Sequence, residues 1–61
     1  MPIIFVEALE GRTLDQKRGL VKDMTAAVVK NFNVTPEQVT IVIREMKPEH
    51  LAKSGKLKSD S

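Results

Sequence analysis

The chain begins with an apolar segment whose pattern is that of a β-strand. Residues 2–9 are rich in the β-branched and aromatic residues that favour strands. The period of two divides these side chains into two faces, Pro2, Ile4, Val6 and Ala8 on one and Ile3, Phe5, Glu7 and Leu9 on the other. Both faces are mostly apolar, which is typical of a strand covered on both sides. We predict a first strand that ends at the Glu10-Gly11-Arg12 turn.

The hydrophobic period changes to that of a helix after this turn. Thr13-Leu14-Asp15-Gln16 fits a capping box, with Thr13 at the N-cap and Gln16 three residues later. We predict a helix from Leu14 to about Asn31. Its expected buried stripe has spacings of three and four and consists of Leu20, Val21, Met24, Ala27, Val28 and Phe32.

A second strand is predicted from Val39 to Glu45, after a single helical turn at Thr35-Pro36-Glu37-Gln38. Strand, long helix and strand predict an α+β fold: one β-α-β unit with parallel strands and a right-handed crossover. Residues 46–61 are predicted to form an extended or hairpin-like arm. Residues 1–61 thus make a single domain, with Met1 expected to be removed from the mature protein.

The size of the chain predicts an oligomer. Two strands and one helix leave sheet edges and one sheet face uncovered. A chain of 61 residues without cysteine has no disulfides to compensate for a small core, so it needs idealised packing or association with other chains. We therefore expect a homo-oligomer.

Composition and charge exclude several functional classes. One histidine and no cysteine leave no His-rich or thiolate metal site. The formal charge of +2 is mild, and with two Phe and no Trp or Tyr there is little to stack on bases. The longest apolar run is far shorter than the ~20 residues of a membrane span, and the first residues lack the positive region of a signal peptide. We expect a soluble, cytoplasmic protein that binds neither nucleic acid nor membrane.

Pro2 is the strongest candidate for a base. If Met1 is removed, Pro2 carries a free secondary amine at the end of a rigid strand. Apolar surroundings and a nearby positive charge both lower the pKa of such an amine. Arg12 would supply that charge if an oligomer brings it close, or would bind a substrate carboxylate through two hydrogen bonds. A proline amine beside an arginine suits keto–enol proton transfer next to a carbonyl.

Further residues complete a pattern around Pro2. They are the Leu9-Glu10-Gly11-Arg12-Thr13 turn, the Asp15-Gln16-Lys17 segment after it, the late Ile43-Arg44-Glu45-Met46 segment, and His50. With Pro2, they resemble the 4-oxalocrotonate tautomerase family over nearly the whole chain. The resemblance implies a β-α-β protomer, dimers of two such units, and usually a hexamer built as a trimer of dimers.

The same resemblance implies an isomerase that needs no cofactor and no metal. Pro2 would be the general base in keto–enol transfer on 2-hydroxydienoate or enol-pyruvate-type carboxylic acids. Arg12 would be the second catalytic residue, binding a substrate carboxylate or polarising the enolate, often across a subunit boundary.

Two positions depart from the family pattern. Thr40 stands where the best-known members have a second arginine that grips the substrate, and Leu51 where an aromatic residue lines the site. The resemblance therefore makes Thr40 and Leu51 substrate-binding positions, and it predicts poor handling of dicarboxylic dienols. Arg44, four residues along the strand at about 3.3 Å per residue, is too far away to replace the missing arginine.

Three hypotheses about function remain open. The first is the tautomerase just described. The second is a non-enzymatic oligomeric protein that retains the tautomerase fold. The third is a basic module that binds surfaces through the lysine-rich segment at residues 53–58.

Overall fold

The computed structural model describes all 61 residues and confirms the β-α-β unit. Strand β1 (Ile3–Leu9) is followed by helix α1 (Leu14–Phe32) and by strand β2 (Thr40–Met46). The arm is a small hairpin of β3 (Ala52–Lys53) and β4 (Lys56–Leu57). Turns of 3-10 helix lie at Pro36–Gln38, Pro48–His50 and Lys58–Asp60. None of the helices has the length and apolar character needed to cross a membrane.

The predicted capping box begins helix α1. The Thr13 side chain accepts a hydrogen bond from the Gln16 N–H at 3.1 Å, and the Gln16 side chain accepts one from the Thr13 N–H at 2.8 Å. The residue after the helix, Asn33, is the C-cap, and its φ of 56° lies in the left-handed region that asparagine tolerates at helix ends. The helix therefore begins where the sequence predicts and is one residue longer than predicted.

Strands β1 and β2 pair in parallel and in register. Ile3 pairs with Thr40 at one end and Leu9 with Met46 at the other. Hydrogen bonds continue the ladder beyond both ends, from the Thr40 N–H to the Pro2 carbonyl and from the Glu10 N–H to the Met46 carbonyl. The register therefore sets which residues of the two strands are neighbours.

Helix α1 covers one face of this sheet and leaves the other open. On the first face lie the half-buried side chains Ile4, Val6, Ala8, Ile41 and Ile43. The open face carries Ile3 and Phe5, which are 53% and 54% exposed. The prediction of two apolar faces is therefore correct, but the chain itself covers only one of them.

The predicted buried stripe of the helix is partly wrong. Val21, Met24 and Val28 are half-buried as expected, whereas Leu20, Ala27 and Phe32 are exposed. The other half-buried helical positions are Lys17, Thr25 and Val29. Apolar residues flank the Val21–Val28 line on both sides, so spacing alone does not say which flank lies over a sheet of only two strands.

The chain lacks a closed core of its own. No side chain is fully buried, and the accessible surface is 4961 Å², against about 4,000 Å² for a compact protein of this mass. The radius of gyration is 14.8 Å, against roughly 10–11 Å for a compact domain of this length. This shape is that of a subunit whose apolar surface needs other chains to cover it.

Candidate active site

Pro2 and Thr40 lie together at the amino-terminal end of the sheet. The Thr40 N–H donates to the Pro2 carbonyl at 3.0 Å, and both residues are half-buried. Met1 is 84% exposed. The start of the chain is therefore accessible, while the residue after it is held by the β2 ladder.

Arg12 lies at the opposite end, just after β1. Gly11 has a φ of 122°, a conformation that favours glycine, and this turn leads from the strand to Arg12. The guanidinium donates to the Leu9 carbonyl at 3.4 Å and is in none of the three ion pairs of the chain. An exposed arginine without an acidic partner is available to bind an anion.

Leu51 also lies at the carboxyl end of the sheet. It borders a cavity of about 410 Å³ whose other lining residues are Leu9, Lys53, Lys56, Leu57, Lys58 and Ser61. A smaller cavity of about 70 Å³ on the helix side is lined by Leu9 and Arg12, among others. Leu9 thus lies between the Arg12 turn and the cavity of Leu51.

The four predicted site residues therefore form two pairs at opposite ends of one chain. Pro2 and Leu9 are seven residues apart along an extended strand, which spans about 23 Å at ~3.3 Å per residue. Within one chain Pro2 does not meet Arg12. A site that uses both residues has to combine the Pro2 end of one protomer with the Arg12 end of another.

Arg44 does not take the place of the missing arginine. Its guanidinium lies 4.6 Å from the centre of the Phe5 ring and 3.5 Å from the Glu7 carboxylate. Glu7 and Arg44 are register partners, and all three side chains are on the open face of the sheet. Sequence reasoning did not predict this cluster, because parallel pairing alone does not fix which residue of β2 lies opposite Glu7.

The lysines of the hairpin are a second feature that sequence reasoning missed at this site. The sequence indicates only a basic segment that could bind surfaces, whereas the structure folds these lysines around the cavity of Leu51. The Ser54-Gly55 turn between two lysines was the available signal.

No group of three or more His, Cys, Asp or Glu side chains is placed to hold a metal ion.

Comparisons with known proteins agree with this arrangement of elements. Residues 2–61 match the family described as Tautomerase enzyme. The 2-hydroxymuconate tautomerase of Bacillus subtilis (strain 168) is 43% identical over 60 residues, covering 98% of this chain and 97% of the relative. The crystal structure of YwhB, a homologue of 4-oxalocrotonate tautomerase, has a TM-score of 0.94 at 42% identity, with 98% of each chain covered.

A further solved structure is a heterohexameric 4-oxalocrotonate tautomerase from Chloroflexus aurantiacus J-10-fl. Its TM-score is 0.91 at 30% identity, and the match covers 98% of this chain and 97% of that one. The fold and these matches define a tautomerase, an enzyme of the isomerase class. The chain belongs to the tautomerase family, alongside the homologues of 4-oxalocrotonate tautomerase.

Proposed function

We propose that this protein catalyses keto–enol proton transfer on 2-hydroxydienoate or enol-pyruvate-type carboxylic acids, with Pro2 as general base. The observation that carries the proposal is that the family match begins at Pro2 and extends through the chain to residue 61. Pro2 is held at the start of β1, and the unpaired Arg12 guanidinium supplies a matching anion-binding group.

The proposed reaction needs no co-reactant. The free Pro2 nitrogen takes the proton of the enol hydroxyl, and the C–O bond becomes a carbonyl as the conjugated double bonds shift. The protonated Pro2 then returns the proton to a carbon of the same molecule, so the product is an isomer. Arg12 stabilises the negative charge that develops between the two steps or binds the substrate carboxylate.

The proposed active form is a homo-oligomer built from dimers, with a hexamer as the favoured size. The open sheet face and the exposed sheet edges support this, since another chain has to cover them. The separation of Pro2 from Arg12 supports it independently. The hexameric relative from Chloroflexus shows that a closely similar fold forms an assembly of six.

The absence of an arginine at position 40 directs the substrate proposal. Thr40 offers a hydroxyl where a guanidinium would bind a second carboxylate. We therefore favour monocarboxylic enols over dicarboxylic dienols, although the Bacillus relative is a 2-hydroxymuconate tautomerase.

A panel of enol acids tests this function on protein whose amino terminus has been verified by mass spectrometry. Retained Met1 makes the Pro2 nitrogen an amide without a basic lone pair, so the unprocessed protein is the matched inactive control. We expect ultraviolet absorbance to report ketonisation only with the processed form. Equal rates for the two forms would contradict Pro2 as base, and no rate on any enol acid would favour the non-enzymatic alternative.

A further inference from the structure

The positive charge of this protein is concentrated at the cavity of Leu51. The chain has ten basic and eight acidic side chains. Residues 51–61 contain three lysines and one acid, Asp60, so residues 1–50 contain seven of each sign and are neutral. All three of these lysines, Lys53, Lys56 and Lys58, line the cavity.

The hairpin holds two of these lysines against each other. Lys53 and Lys56 are directly opposed register partners on either side of a two-residue turn whose φ values, 55° at Ser54 and 76° at Gly55, are both positive. Like charges in opposed positions on one sheet face repel each other. Neither lysine forms an ion pair in the chain, so an anion between them would relieve this repulsion.

The third lysine is fixed beside the predicted substrate-binding position. The Lys58 N–H donates to the Leu51 carbonyl at 2.8 Å. The cavity lining combines three leucines, Leu9, Leu51 and Leu57, with the three lysines. Its volume of about 410 Å³ lies in the range of small-molecule sites.

We propose that Lys53, Lys56 and Lys58 bind the distal carboxylate of a dicarboxylic substrate and supply the charge that Thr40 does not. This proposal rests on the proposed function, because the substrate has to reach from Pro2 of one protomer into the hairpin cavity of another. A lysine contributes a point charge on a flexible stem, without the two-pronged geometry of arginine. Dicarboxylic enols are then accepted less well than with an arginine at position 40, but their turnover depends on the lysines.

The test compares two double variants that remove the same charge from the full-length, processed protein. The Lys53→Gln, Lys56→Gln variant removes the charges of the opposed pair. The Lys22→Gln, Lys30→Gln variant removes two exposed helix lysines outside the cavity. We expect kcat/KM for a dicarboxylic dienol to fall roughly tenfold in the first variant, with monocarboxylic turnover nearly unchanged. The second variant should leave the ratio of the two substrates as in the wild type.

Rescue and salt dependence give two further measurements. The Lys53→Arg, Lys56→Arg double variant should keep the wild-type ratio of kcat/KM for the two substrates, because it keeps the positive charge. A purely structural role of the lysine stem does not predict this result. In the wild type, kcat/KM for the dicarboxylic dienol relative to the monocarboxylic enol should fall when salt rises from about 10 mM to about 1 M. The reason is that the Debye length falls from ~30 to ~3 Å, which screens the lysine charges.

The outcomes separate this proposal from the one on which it rests. Equal substrate ratios in the two glutamine variants would overturn the lysine assignment if Pro2→Ala still abolishes turnover. If Pro2→Ala is fully active, the proposed function itself fails, whatever the lysine variants do. Sedimentation of each variant identifies any loss of assembly before the ratios are compared.

Discussion

Pro2 has a chemical role only as a free amine, and its environment sets the pH at which that amine is a base. A secondary amine is more basic than the ordinary α-amino group, whose pKa is ~7.7–8.0. We predict that apolar surroundings and Arg12 of a neighbouring protomer lower the pKa of the Pro2 amine below that of free proline. The base is then the deprotonated form, so kcat/KM should rise with pH through this pKa and level off above it.

The pH–rate profile of the processed protein measures this prediction, and Pro2→Ala is its companion variant. The alanine protein keeps an α-amino group but changes its basicity and position, so most activity should be lost while sedimentation stays the same. A Pro2→Ala protein with full activity on every enol acid would contradict Pro2 as base.

Variants of Thr40 test whether the charge at this position determines which substrates the site accepts. Thr40→Arg should raise kcat/KM for a dicarboxylic dienol relative to a monocarboxylic enol, roughly 10- to 100-fold for one charge-assisted hydrogen bond of ~1.5–3 kcal/mol. Thr40→Val is the control of similar size, since it removes the hydroxyl without adding charge. If neither variant moves the substrate ratio, position 40 does not contact the substrate.

The two-stranded sheet and its helix are well specified locally but incompletely buried. Thr13 and Gln16 form the predicted capping box, and the alternating pattern of β1 gives its two faces. The spacing of apolar residues did not predict the buried stripe of the helix correctly, because Leu20 and Val29 lie on opposite sides of the Val21–Val28 line. Only the packing shows that Val29 lies on the covered side.

The open sheet face provides a prediction about assembly. Phe5 is 54% exposed and contacts the Arg44 guanidinium, so a second chain covering this face would bury the ring. Phe5→Asp should therefore shift the protein toward smaller species in sedimentation and lower its thermal stability. Lys22→Asp is the control on the helix, because Lys22 is an exposed polar position that needs no second chain to cover it.

The separation of Pro2 and Arg12 along β1 makes subunit mixing informative. Arg12→Ala should lower kcat/KM by roughly 10- to 100-fold, whereas Arg18→Ala, which removes an exposed arginine paired with Asp15, should have little effect.

Refolding Pro2→Ala together with Arg12→Ala should restore up to about a quarter of wild-type activity, because random symmetric assembly regenerates that share of intact sites.

No such gain is possible if Pro2 and Arg12 act within one chain, since neither variant then contains an intact site. A mixture that stays as inactive as its components, although sedimentation shows mixed oligomers of normal size, would contradict the shared site. Normal activity of Arg12→Ala would contradict the role of Arg12 directly.

The elements and the residue chemistry of this protein follow from local information in its sequence. The period of two in residues 2–9, the capping box at Thr13 and the turn at Gly11 depend on neighbouring residues, so the β-α-β order was predictable. Pro2 was predictable from its place at the start of the first strand and Arg12 from its place just after it, and the resemblance to the 4-oxalocrotonate tautomerase family supported both.

Other properties depended on contacts between distant residues. The pairing of Glu7 with Arg44, the uncovered face of the sheet and the position of Leu51 among three lysines come from strand register and from the fold of the hairpin. Period and composition describe a chain one neighbourhood at a time, whereas strand register and packing are decided where remote segments meet.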